Sequence, residues 1–190
     1  PDTAAASSQW AKNLTALRLR DPELASALDG LDDGDLPKLE PTRSGAVTVA
    51  RDNAAGRAVY LHSRYDPAAE ARKWADHHTE EDKFCYIVGG FALGYHIKAL
   101  LETLPENIIV VALDPDLQML RLALDRLDFS AELARQQLAI VAQPTLHDLR
   151  PLEQPARVLL RPDVAHRGDD EAGRSRAVGA GRQVAHGNEA

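Results

Sequence analysis

The chain is short of most residue patterns that would declare a chemistry outright. It carries one cysteine, Cys85, in 190 residues, which excludes an internal disulfide framework and a cysteine-rich zinc site. Aromatic residues make up 5%, too few for broad surfaces that stack bases or sugars. Basic residues are outnumbered, with Lys+Arg 22 against Asp+Glu 29 and a formal net charge of −7. A nonspecific nucleic-acid binder needs a basic face that releases phosphate counterions, so no nucleic-acid partner is expected. No run approaches the roughly 18 apolar residues of a membrane span. The opening PDTAAASSQW has no basic stretch leading into an apolar core, so no signal peptide and a cytoplasmic location are the expectation, although the first residue is not Met. Metal-ligand spacing is also wanting. His77 and His78, beside Glu80, Glu81 and Asp82, read as the solvated end of a helix whose dipole favours them. Asp32, Asp33 and Asp35 lack the spacing of a calcium loop.

What is present is a hydrophobic fraction of 44%, enough for one ordinary domain with a core. Residues 7–29 read as helical: Trp10, Leu14 and Leu17 share a face, Ser7 or Ser8 can cap it, and Asp21-Pro22 restarts it. DGLDDGDLPKLEPTRSG (29–45) shows no period and reads as a loop or linker. AVTVA (46–50) and RAVYLH (57–62) flank the turn formers Asp52, Asn53 and Gly56, a β-hairpin pattern. Asp66-Pro67 opens a helix expected to bury Ala71, Trp74 and Ala75.

From residue 84 the pattern alternates. FCYIVGG is an apolar run ending in glycines, and Cys85 within it reads as a buried small hydrophobe. ALGYHIKALLETL is an amphipathic helix, and IIVVAL (108–113) is apolar on both faces, as in a buried parallel strand. DLQMLRLALDRL and SAELARQQ read as helices, LAIVA (138–142) and ARVLL (156–160) as strands. The expected fold is therefore α/β: a Rossmann-like parallel sheet flanked by helices, with an N-terminal helical segment and a β-hairpin. The expected organisation is a helical segment and linker over 1–41, the α/β domain over 42–160, and a disordered tail over 161–190. In residues 163–190 only Val164, Val178 and Val184 are sizeable and apolar, too little to offset ordering entropy. The break near Arg161 is abrupt enough to suggest a shifted reading frame or truncated gene model.

The strongest chemical signal is YIVGGFALGYH (86–96) followed by IIVVALDPD (108–116). A buried strand ends in a glycine-rich turn that opens a helix, and the next strand ends in Asp114, twenty residues after Gly94. That is the layout of a mononucleotide-binding βαβ unit, in which backbone N–H groups meet a phosphate and an acid meets ribose. Gly90, Ala92, Gly94, His96 and Asp114 are thus the candidate cofactor-binding residues. The methyl of Ala92 narrows the room, and the turn is as close to that of AdoMet-dependent methyltransferases as to a dinucleotide loop. The competing reading is a tight strand-to-helix turn with no ligand, Asp114 capping a helix and His96 serving structure. His62-Ser63-Arg64-Tyr65 follows a strand in an unusual way: Arg64 is suited either to gripping an anion or to pairing with Asp66 or a helix end.

LHSRYDPAAEARKWA (61–75), YIVGGFALGYHIKALLE (86–102) and VVALDPDLQMLRLAL (110–124), in that order, resemble the N-terminal region of the motility accessory factor (Maf) glycosyltransferases, with their DUF115 (MptE-like) core. His62 to Pro67 with Glu70 and Ala71, Gly90 to His96, and Asp114 to Asp116 stand at the matching positions. WAKNLTALRLRDPELASAL (10–28) resembles the family's opening helix. Ala92 departs from a favoured Gly, and Asp114 from a frequent Glu. The resemblance implies transfer of a nonulosonic acid of pseudaminic or legionaminic type from a CMP-activated donor to flagellin Ser/Thr. It also implies that the transferase site lies in a central domain C-terminal to this region, so no catalytic residue is carried over and no cofactor is expected. Flagellin, that central domain and a second copy of the chain are the expected partners. The alternative is an AdoMet-dependent methyltransferase-like or other nucleotide-binding Rossmann protein.

Overall fold

A computed structural model describes residues 3–142 and 156–160. The tail expected over 161–190 lies outside the described residues. Helices α1 (Thr3–Arg18) and α2 (Pro22–Asp29) open the chain. Asp21 caps α2 by accepting from the Leu24 N–H at 2.8 Å, with Pro22 in the first turn, where its missing N–H costs nothing. The first helix begins at Thr3, so Ser7 and Ser8 lie inside it instead of capping it.

Strands β1 (Leu39–Pro41), β2 (Val47–Asp52) and β3 (Ala58–Tyr60) form an antiparallel sheet in that order. The hairpin between β2 and β3 falls where the sequence puts it. Its turn is closed by Asn53, whose side chain accepts from the Ala55 and Arg57 N–H groups. Strand β1 lies in the stretch that reads as a linker. Three residues, one of them proline, are too few to show a period of two, and the pairing with β2 supplies what local propensity does not.

Helix α3 (Pro67–His78) is capped by Asp66, which accepts from the Ala69 N–H at 2.9 Å. It buries Ala71 and Ala75, while Trp74 stays half-buried beside them. Strands β4 (Cys85–Gly89), β5 (Ile109–Leu113), β6 (Leu138–Val141) and β7 (Ala156–Leu160) form an all-parallel sheet in the spatial order β6-β5-β4-β7. Helices α4 (Tyr95–Thr103), α5 (Leu117–Arg126) and α6 (Ser130–Ala134) occupy the crossovers. The fold is thus the expected Rossmann-like α/β arrangement with a hairpin sheet beside it.

On β5 the expectation of two sealed faces holds on one side. Val110 and Ala112 are fully buried against the helices, but Ile109 is 44% exposed, and Val111 and Leu113 are half-buried. One core joins this helical face to α1, α2 and α3 through Leu17, Leu28, Ala75, Leu100, Leu120 and Leu124. A second, smaller cluster sets Val49 of β2 against Ala92, Leu93, Met119 and Leu122.

Candidate functional site: the glycine-rich turn

The strands of the parallel sheet run third, second, first, fourth in chain order across it, so the order reverses between β4 and β7. Ligands of open α/β sheets settle outside the carboxyl ends of strands at such a reversal. The turn 89–94 leaves β4 at that place and opens α4. Three of its residues take left-handed backbone: Gly90 (φ 87°), Ala92 (φ 46°) and Gly94 (φ 78°). Glycine is required at Gly94 on two counts. A Cβ there would sit 2.9 Å from Phe91 Cε1 and 3.0 Å from Phe129 Cζ, and the positive φ is strained for any side chain.

The geometry shows where the turn's donors go. Asp114, buried at the end of β5, accepts through Oδ2 from the N–H groups of Phe91 (2.6 Å) and Ala92 (3.2 Å). Its Oδ1 accepts from the Asp116 N–H at 2.8 Å. The Leu93 N–H donates to His62 Nε2 at 3.1 Å. The Gly90 N–H donates to the Leu113 carbonyl and the Gly94 N–H to the Phe91 carbonyl, both at 2.8 Å. Each N–H from residue 90 through 94 therefore already has a partner within the protein. An anion at this turn would have to displace one of them, and each displaced pair costs the exchange of a buried hydrogen bond.

His96, also buried, bonds the Gly90 carbonyl through Nε2 at 2.8 Å, and its ring meets Trp74 edge to face at 5.3 Å. The sequence reading brings Gly90, Ala92, Gly94, His96 and Asp114 to one spot, and the structure does bring them together. It adds two residues given no role from sequence. His62 supplies the lone pair that receives Leu93. Tyr95 donates to the Val47 carbonyl at 3.0 Å and accepts from the Val47 N–H at 3.2 Å, tying α4 to β2. The sequence hints for His62 are its place beside Ser63 and Arg64 after a strand and its position in the first of the three family-like stretches. The cap of α5 is Asp116, which accepts from the Met119 N–H at 3.1 Å, so Asp114 is free for the turn.

The remaining candidates separate from this site. The Cys85 thiol is buried, and burial pushes its pKa above the ordinary thiol value, the opposite of an activated nucleophile. His78 bonds the Trp74 carbonyl at the end of α3. Among the described residues no group of three or more His, Cys, Asp or Glu is placed to hold a metal ion, and no helix there is long and apolar enough to cross a membrane.

The chain matches no known protein-family model, and no curated protein resembles it in sequence. Among solved structures, its fold is similar to that of a MAf glycosyltransferase from Magnetospirillum magneticum AMB-1. The TM-score is 0.62 at 15% identity, over 83% of this chain and 33% of that one. The chain thus spans about a third of that protein's length. At that identity what the two share is the architecture: a Maf-like fold.

Proposed function

We propose that the chain is the N-terminal, noncatalytic domain of a Maf-type flagellin glycosyltransferase, and that it acts as a scaffold for a transferase domain working on a CMP-activated nonulosonic acid. The three ordered motifs and the fold likeness over 83% of the chain support the family. The observation that carries the noncatalytic reading is the occupancy of the glycine-rich turn. Its N–H groups are taken by Asp114, by His62 and by neighbouring carbonyls, so the turn is fixed as a brace between the two sheets. The same occupancy weighs against an AdoMet-dependent methyltransferase or another nucleotide-binding Rossmann protein, which would need the acid turned outward to ribose. In this reading the partners are flagellin, the transferase domain or a second copy of the chain, in the cytoplasm.

The test is calorimetric titration of the purified chain with CMP and with AdoMet, together with a transfer assay using a CMP-activated nonulosonic acid and flagellin. No saturable heat with either nucleotide and no transfer by the chain alone are expected. Micromolar AdoMet binding that disappears in Asp114→Asn, with the variant still folded by circular dichroism, would overturn the reading. So would sugar transfer by the chain alone.

A further inference from the structure

The segment His62-Ser63-Arg64-Tyr65 contributes only His62 to the turn and leaves Arg64 unexplained. Of the two roles open to Arg64 in sequence, pairing with Asp66 is not the one adopted: Asp66 spends its carboxylate on the Ala69 N–H. Instead, the Arg64 guanidinium lies over the ring of Tyr60, 4.6 Å from its centroid. Arg43 does the same over Tyr65, at 4.5 Å. The two arginines belong to neighbouring backbones, because the Arg43 N–H donates to the Arg64 carbonyl at 3.0 Å and the Ser44 N–H to the Tyr65 carbonyl at 2.8 Å. Two backbones so bonded lie about 5 Å apart, so both side chains arise at one place.

That place is rigid. Ser63 Oγ accepts from the Tyr65 and Asp66 N–H groups, and the Ser63 N–H donates to Glu70. Both arginines are exposed, and among the described residues neither guanidinium makes an ion pair or donates a hydrogen bond. By contrast Arg51, which leaves the same sheet from β2, is paired with Asp116. The nearby carboxylate, Glu40, accepts from the Tyr60 hydroxyl at 3.1 Å and forms no ion pair with Arg64. A guanidinium laid on a ring is held in a plane while its N–H edge stays open, the arrangement that takes two oxygens of a carboxylate or phosphate at once. The Ser44 hydroxyl beside Arg43 shares a hydrogen bond with the Thr42 hydroxyl at 3.1 Å, which leaves the two guanidinium groups to carry the site.

We propose that Arg43 and Arg64, each backed by a tyrosine ring, form a binding site for an oxyanion, the carboxylate or phosphate of a ligand. The site is separate from the glycine-rich turn, and it stands whether or not the chain belongs to a glycosyltransferase. The test is NMR titration of the full chain with pyrophosphate and, separately, with citrate, at constant ionic strength kept with chloride. The expected result is saturable shifts of the Tyr60 and Tyr65 ring signals with one or both anions, at a Kd of about 1 mM or tighter. Arg43→Gln and Arg64→Gln, both at exposed positions, should each weaken binding about tenfold while melting like the parent. If one anion binds and the other does not, the preferred oxyanion is assigned. No saturable shift with either anion, or shifts that survive in the double variant, would overturn the proposal.

Discussion

Gly94 and Ala92 lie two residues apart and both take left-handed backbone, yet they should respond unequally to substitution. At Gly94 an added methyl meets Phe91 and Phe129 within 3.0 Å as well as the positive φ of 78°. Both rings are fully buried and packed edge to face at 5.4 Å, so neither has room to yield. Strain and overpacking together predict that Gly94→Ala loses about 3 kcal/mol in chemical denaturation. At Ala92 the methyl is already present at φ 46° and is buried against the hairpin sheet. Removing it relieves about 1–2 kcal/mol of left-handed strain but forfeits about 0.8 kcal/mol of burial and loosens the unfolded chain by about as much again. Ala92→Gly should therefore stay within about 0.5 kcal/mol of the parent in the same measurement, since those terms nearly cancel. A loss as large as that of Gly94→Ala would mean the Ala92 methyl matters more than its area allows.

At the scale of elements, the sequence exposes caps and periodicity well and long-range polar ties hardly at all. Asp21, Asp66 and the prolines after them mark two helix starts because a cap acts within three residues. Asn13 carries no such local mark. It sits mid-helix in α1, fully buried, and its amide donates to the carbonyls of Leu124 and Leu127 while its Oδ1 accepts from the Phe129 N–H. One side chain thus closes the C-terminal end of α5 and the approach to α6, more than a hundred residues away in sequence. Asn13→Ala should cost about 3 kcal/mol in urea unfolding, because two buried backbone groups and one part-buried carbonyl lose their partner; a loss below about 1 kcal/mol would show that water replaces the amide. Tyr95 ties α4 to β2 and adds a pH dependence. Burial is the main influence and pushes its phenol above the ordinary value of 10.0, against smaller opposite pulls from the Val47 hydrogen bond and the Arg126 charge. The folded state therefore favours the neutral phenol, so this stability is intact below pH 10.0 and is lost as pH rises through the higher folded value. Tyr95→Phe should lower stability at neutral pH by about 1–2 kcal/mol and make the alkaline decline shallower. Tyr86, raised chiefly by burial too, keeps part of that decline in the variant. An unchanged alkaline slope in Tyr95→Phe would place the dependence elsewhere.

For the whole molecule, the legible part was the alternation of apolar strands and amphipathic helices from Cys85 to Val141, because burial writes its period directly into the residues. The way the hairpin sheet meets the parallel sheet was not legible, because it rests on contacts no period records. Val49 packs on Leu93 and Met119, and His62 receives the Leu93 N–H. Tyr95 packs against both hydrophobic clusters, so the two cores share a wall. The hairpin cannot leave without exposing Leu93 and Met119 and stripping the turn of one acceptor, and the turn is what holds β4 to α4. The two sheets should therefore unfold as one unit. Val49→Ala removes buried methyl groups at that junction and should cost about 2 kcal/mol. Native-state hydrogen exchange provides the check: protection of amides in β2 and in β4 should fall by the same factor. Protection lost in β2 alone, with β4 unchanged, would show that the hairpin sheet opens independently and that the turn keeps its shape without His62.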